Sequence, residues 1–332
     1  MKKLIALAVT ALFVLLLLLA AALREINTPA SSTHGLITVT ITPGMHLSQT
    51  ARMLEAAGAI KSATTFTLVA KLHRMVGKIR AGEYDLDPSQ KPTDLLHQLV
   101  EGRVKLHSFT VPEGFTMKQI AELTAAKGLC TVDDFLKAAA DRKLLGEFGI
   151  TGENAEGYLM PETYHFRKDA GGVAVVRGML ATFMRKTAIL RQQHPDKADR
   201  LHQIVTLASI VEKEAAGPDE YPIIAAVFYN RLKRSMPLQA DPTVIYAIHD
   251  FDGNIRKKDL SIDSPYNTYR YRGLPPGPIA NPGMGALEAV YEPATVNYLY
   301  FVAMGKVKKH KFSVTLKEHN EAVRKYQLAG RG

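Results

Sequence analysis

The chain has 332 residues, with 42 Lys+Arg against 32 Asp+Glu and a net charge of +10. That length exceeds one small core and implies two or three folded units. The single cysteine, Cys130, excludes an internal disulfide and a cysteine-built metal site, and without tryptophan any stacking on sugars falls to Tyr or Phe. The positive excess favours an anionic partner, whether nucleic acid, acidic lipid or wall polymer, although a mild excess serves solubility equally well.

Met1-Lys2-Lys3 precedes an uncharged run over residues 4–23 that includes five consecutive leucines. Twenty helical residues reach roughly 30 Å, the thickness of a bilayer's hydrocarbon core. The lysines mark the cytoplasmic side, so the rest of the chain faces outward. A cleaved signal peptide, with Ala20-Ala21-Ala22 as its cleavage site, is the alternative, and its apolar region is usually shorter than this run. Either reading exports the remainder and removes the chain from nucleic acid. Residues 25–36, rich in Asn, Thr, Ser, Pro and Gly, read as a linker.

An internal repeat follows. Ile41-Thr42-Pro43-Gly44-Met45 through Phe66 aligns with Val111-Pro112-Glu113-Gly114-Phe115 through Phe135, matching Gly44 to Gly114, Ala51 to Ala121 and Gly58 to Gly128. Each copy predicts a strand, a Pro/Gly turn and an amphipathic helix ended by glycine. Between the copies, residues 81–86 predict a strand and residues 92–100 a helix ending at Gly102. Such small strand–helix units resemble LysM carbohydrate-binding modules; a scaffold that binds nothing fits equally well. Residues 156–166 gather aromatics and acids around Gly157 and Pro161, and a helix is expected over residues 173–193.

Residues 201–216 predict a helix apolar on almost every face, which marks a buried central helix, yet it ends in Glu212-Lys213-Glu214. Carboxylates two residues apart differ by about 200° around a helix and cannot share one cleft. Glu214 falls in line with Leu207, Ile210 and Val211, and the other carboxylate is left to pair with a cation such as Lys213 or Arg231. Burial and the negative end of the helix dipole both raise a carboxyl pKa, and a carboxyl protonated near neutrality is what a general acid requires. A buried structural glutamate held by a salt bridge would leave the same pattern.

A second helix is expected over residues 222–233, closing with Asn230 and Arg231. The loop Gln239-Ala240-Asp241-Pro242-Thr243 presents side chains suited to sugar hydroxyls, with Asp241 as a helix N-cap the plainer reading. Tyr266-Asn267-Thr268-Tyr269 and the Pro/Gly-dense stretch over residues 273–283 form stiff loops that fit a saccharide groove. Residues 298–303 read as a buried strand, residues 311–313 as the start of its partner, and a terminal helix begins at His319 and ends near Leu328. His310 and His319 read as ordinary surface or packing histidines.

Taken in order, Ala208-Ser209-Ile210-Val211-Glu212-Lys213-Glu214, Asn230-Arg231-Leu232, Leu238 through Tyr246, Tyr266-Asn267-Thr268-Tyr269, Gly273-Leu274-Pro275-Pro276-Gly277 and Tyr298 through Val302 resemble the MltG (YceG-like) endolytic murein transglycosylase family. The 156–166 segment is also similar, with Glu162 where an Asp is common. The resemblance implies an α+β protein with four parts: a stub and single transmembrane helix over 1–24, the linker 25–36, a LysM-like βα subdomain over 37–135, and a mixed α/β catalytic domain over 136–332. It implies that Glu214 is the catalytic acid and base, that Gln239, Asp241, Thr243, Tyr266, Asn267, Thr268 and Tyr269 hold the glycan, and that Glu212, Asn230 and Arg231 support them. The implied reaction cuts MurNAc-β-1,4-GlcNAc bonds inside a strand and leaves a 1,6-anhydro-MurNAc end, with no metal or cofactor. The implied setting is the outer face of the inner membrane, beside peptidoglycan synthases. A hydrolytic muramidase using Glu214 with Asp241, and a non-enzymatic wall-binding scaffold, are the rival readings.

Overall fold

The computed structural model describes Thr10, Phe13, Arg24, residues 26–305, Val307 and residues 309–328. Apart from Thr10 and Phe13, the apolar run over residues 4–23 lies outside them. Among the described residues no helix is long and apolar enough to cross a membrane.

The architecture is mixed α+β, with helices around three two-stranded sheets. In chain order, β1 (Ile37–Ile41), α1 (Leu47–Ala56), α2 (Ala63–Leu72), β2 (Gly82–Leu86), α3 (Pro92–Glu101) and β3 (Leu106–Thr110) lead into α4 (Met117–Ala126), α5 (Val132–Ala139), α6 (Arg142–Glu147) and β4 (Thr163–Arg167). Then come α7 (Gly172–Lys186), α8 (Ala188–Gln193), α9 (Leu201–Glu214), α10 (Tyr221–Lys233) and α11 (Asp241–Ala247). The chain closes with α12 (Met284–Tyr291), β5 (Tyr300–Ala303), β6 (His310–Ser313) and α13 (Leu316–Val323), which runs on as a π-turn over Arg324–Leu328. The helix expected over 173–193 is two helices, α7 and α8, meeting at Thr187.

The chain forms two compact units: residues up to His107 with His165–Lys168, and Ser108–Tyr164 with the chain from Asp169 onward. In the first unit β1 and β2 pair antiparallel, with Val39 opposite Tyr84. Leu54, Phe66, Val69, Leu95 and Leu99 join them in one closed core. Ile37, Val39 and Ile41 alternate along β1 and form its inward face, as the period of two requires.

The repeat is longer in space than in sequence. Both copies run strand, helix, helix, strand, helix (β1-α1-α2-β2-α3 and β3-α4-α5-β4-α7), with α6 inserted in the second. Gly44, Gly58, Gly114 and Gly128 hold φ of 81°, 76°, 72° and 66°, a left-handed backbone that costs a side-chain-bearing residue about 1–2 kcal/mol. Gln49 and Gln119 each accept the N–H three residues back, from His46 and Thr116, at 2.9 Å. Ser62 and Thr131 cap the second helix of each copy by accepting from Thr65 and Asp134. Tyr84 and Tyr164 each donate to the carbonyl four residues back, at Arg80 and Met160.

In the second unit α5 packs on α7, and α9, α10 and α12 pack mutually. All residues of α9 from Ile204 to Val211 are buried, as an all-round apolar helix demands. The Pro/Gly-dense stretch is packed rather than exposed: Ile279, Ala280 and Asn281 are buried. Asn281 ties three segments together. Its side chain donates to Phe115 O and Glu156 Oε1 at 2.9 Å each and accepts from Leu159 N at 2.9 Å. Its backbone exchanges bonds with Gly114 and Phe115. The turn of the second repeat copy is therefore built into the unit that carries α9. Gly157 (φ 87°) fits only without a side chain, since a Cβ there would lie 2.5 Å from Pro278 and 2.7 Å from Val205.

Candidate active site

Helix α9 ends at Glu214, and the next residue, Ala215, turns to an extended backbone. Glu212 and Glu214 diverge as helical geometry requires. Glu212 accepts from Tyr221 Oη at 2.9 Å and from Gly283 N at 3.0 Å, and its neighbour Lys213 donates to Gly114 O at 3.3 Å. Glu212 therefore holds backbone in place; it forms no pair with Lys213 or Arg231. Burial, with the charge of Glu113, raises its pKa, and the Gly283 and Tyr221 donors oppose that.

Glu214 is half-buried and faces a cavity of about 400 Å3. Arg231, Gln239, Asp241 and Tyr269 line it on the polar side; Phe301, Val302, Ala303 and Val323 supply apolar wall, with His310, His319 and Gln327 completing it. Burial, and then the charge of Asp241, push the Glu214 carboxyl up to about 8. The Arg231 charge and the Asp241 N–H pull the other way and are outweighed. That N–H is the first of α11, so the positive end of a second helix faces a carboxyl that sits at the negative end of α9.

Asp241 does not cap α11 with its side chain. Instead its Oδ1 accepts the Tyr269 hydroxyl at 2.5 Å, which fixes the ring at the cavity edge. Gln239 lies in the left-handed region (φ 51°), held there by its N–H to Thr268 O at 3.1 Å. Such strain costs of order 1 kcal/mol and is found where a side chain must be aimed.

Arg231 is buried, and burial lowers its pKa. Nε donates to Leu299 O and Nη1 to Leu238 O, both at 2.7 Å, so one guanidinium joins α10, the Gln239 loop and the approach to β5. Asn230 does related work, donating to Val296 O at 2.8 Å and Tyr298 O at 3.0 Å.

The structure thus brings Gln239, Asp241 and Tyr269 to Glu214. It places Thr243, Asn267 and Thr268 behind the wall, buried, with their side chains bonded inward. Thr243 and Thr268 hydroxyls meet at 2.9 Å, Thr268 Oγ1 accepts from Ala240 N at 3.0 Å, and Asn267 Nδ2 donates to Leu260 O and Ile262 O. These three shape the loops that carry Gln239 and Tyr269. Tyr266 packs its ring on Tyr246 at 5.0 Å, away from the cavity.

The two histidines read as ordinary face the cavity. His310 bonds Glu220 twice, through N and Nδ1 at 2.7 Å each. Burial pulls Glu220 up, but those bonds and the Ala216 N–H leave its pKa below the usual value. His319 stacks on Tyr300 at 5.3 Å, burial lowers its pKa, and its buried Nδ1 has no hydrogen-bond partner among the described residues. Isolated histidines carry no spacing signal, so only the β5–β6–α13 packing reveals them.

The long buried helix α9 thus delivers a carboxyl raised by burial to a cavity with a polar side, an arrangement suited to general-acid chemistry. The YceG-like family model matches residues 39–325, and the chain belongs to that family. It is 35% identical over 308 residues to an endolytic murein transglycosylase of Bacillus subtilis (strain 168), covering 87% of this chain and 84% of that protein. It is 33% identical to the endolytic murein transglycosylase of Streptococcus pneumoniae (strain R6), covering 80% of this chain and 54% of the longer relative. The crystal structure of a YceG-like protein from Listeria monocytogenes superposes with a TM-score of 0.60 at 34% identity, covering 87% of this chain and 99% of that one.

Proposed function

We propose that this protein is an endolytic peptidoglycan lytic transglycosylase in which Glu214 is both acid and base. One observation carries the reading: a half-buried carboxyl raised to about 8 opens on a cavity lined by Gln239, Asp241, Arg231 and Tyr269. At neutral pH Glu214 holds its proton, as donation to a glycosidic oxygen requires. In the reaction, the MurNAc C1–O bond breaks as Glu214 protonates the departing GlcNAc O4. The C6 hydroxyl of the same MurNAc closes on C1, and its proton passes to the ionised Glu214. The proton count balances without water, the strand ends in 1,6-anhydro-MurNAc, and the acid is regenerated. Gln239, Asp241 and Tyr269 hold sugar hydroxyls, and Arg231 steadies the carboxylate between its two proton transfers.

The run over residues 4–23 anchors the chain in the inner membrane, with the rest of the chain outside and the LysM-like subdomain over 37–135 engaging glycan. There the enzyme cuts nascent strands beside a synthase and ends their elongation. Deleting residues 1–24 should release the protein from membrane fractions; retention would refute the anchor. A hydrolytic muramidase is the second reading, favoured by the Asp241 carboxylate close to Glu214. Mass spectrometry of the products from uncrosslinked glycan decides. Anhydro ends, absent with Glu214→Gln, support the transglycosylase; reducing ends heavier by one water identify a muramidase; no shortening by the wild type removes the enzymatic account.

A further inference from the structure

A second cavity, of about 310 Å3, lies in the same unit and has no part in the proton chemistry. Ile204 and Leu207 of α9, Leu232 of α10 and Leu274 give it an apolar floor, and Lys197 and Arg200 stand at its mouth. Its size is at the lower end of ordinary ligand pockets. Lys197 is tethered, its Nζ donating to Tyr291 O at 2.6 Å. Arg200 is exposed and has no acidic partner among the described residues. Tyr229, also at the cavity, is raised by burial, and the nearby Arg200 charge opposes that in part.

Three segments run from this cavity to the Glu214 cavity. On α9, Leu207 and Glu214 are seven residues apart on one face, about 10 Å along the axis. Leu232 directly follows Arg231, and Leu274 lies five residues after Tyr269. A substituent on a polymer held at Glu214 would have to reach about 10 Å along α9 to enter the second cavity. On peptidoglycan that substituent is the stem peptide on the muramic lactyl group, which carries small apolar side chains and free carboxylates. An apolar floor with cations at its rim matches that chemistry; an unsubstituted sugar, polar all round and uncharged, does not match it.

We propose that the Leu207–Leu232–Leu274 cavity binds the stem peptide of the strand being cut, with Arg200 and Lys197 taking its carboxylate, so that the enzyme discriminates peptide-bearing from bare glycan. The inference rests on the polysaccharide reading of Glu214 and deepens it.

The test uses full-length Glu214→Gln protein and two probes, uncrosslinked glycan strands with stem peptides and the same strands stripped of them by an amidase. Peptide-bearing strands should bind about tenfold tighter. Arg200→Ala in the Glu214→Gln background should reduce that preference below twofold while leaving bare-strand affinity unchanged, which also reports an intact fold. Equal affinity for both probes, or a preference untouched by Arg200→Ala, overturns the proposal. Inorganic phosphate at millimolar concentration erasing the preference in full would mark a general anion site and overturn it likewise. If neither strand binds, the polysaccharide reading fails; titration of the isolated stem peptide, followed by the NMR signals of Leu207 and Leu232 methyls, then decides the cavity on its own.

Discussion

Two glutamates in the second unit share a raised pKa and differ in everything else. Glu156 is 3% exposed and raised by burial to about 7. Both its oxygens accept from Met117 N, at 2.9 and 3.0 Å, and Asn281 Nδ2 and the Tyr246 hydroxyl add further bonds. Glu214 is higher, about 8, receives one backbone N–H, and opens on a cavity. Perturbed acidity alone does not mark a catalytic group. Glu156 has its lone pairs filled by the start of α4 and by Asn281, so it is a strut. Glu214 keeps capacity for a substrate proton, and a like charge at Asp241 supports its neutral form.

Exchanging each acid for its amide separates the two roles. Glu214→Gln should lower the cleavage rate by 10²-fold or more, with the melting temperature unchanged or slightly raised. Glu156→Gln turns an amide N–H2 toward donors at Met117 and Asn281. It should cost about 2 kcal/mol, a fall in melting temperature of roughly 4–8 °C, with residual activity tracking the folded fraction. Strong activity loss in fully folded Glu156→Gln would overturn its assignment as a strut.

The pH dependence sharpens the contrast. Activity should fall as pH rises through about 8, where Glu214 loses its proton. Asp241→Asn removes the like charge that raises Glu214, so the alkaline limb of kcat/KM should move to lower pH. A limb that stays put, or rises, would show that Asp241 does not act on Glu214 by charge. Stability carries the same sign. Both carboxyls are raised in the folded chain, so at these two sites it binds more protons than the unfolded chain between about pH 4.5 and 8. The melting temperature should therefore decline as pH rises through that window, and less steeply in either amide variant. The smallest effect is expected at Gln239, where Gly relieves φ 51°. Gln239→Gly should raise stability by no more than about 1 kcal/mol in a denaturant titration while weakening substrate binding.

Much of this was legible in the chain itself. The repeat glycines read out four left-handed turns, because only glycine takes that backbone cheaply. The apolar periodicity of residues 201–214 announced a buried helix, and the two-residue spacing of Glu212 and Glu214 required them to part. The second half of the repeat was not legible: β2 and β4 share a tyrosine bonded four residues back but little else in sequence, and pairing across many residues leaves no local pattern. Asn267, Thr268 and Thr243 read as sugar ligands because a polar side chain on a stiff loop looks alike whether it faces solvent or its own backbone.

Local chemistry, then, determined the elements, the turns and a buried helix that ends in two acids. Tertiary packing alone decided which acid faces a cavity and which supports a wall, that His310 and His319 border the site, and that Arg231 joins three segments behind it. Periodicity and turn preference act over a few residues, whereas burial, charge proximity and the filling of lone pairs depend on neighbours far along the chain, 125 residues apart in the case of Glu156 and Asn281.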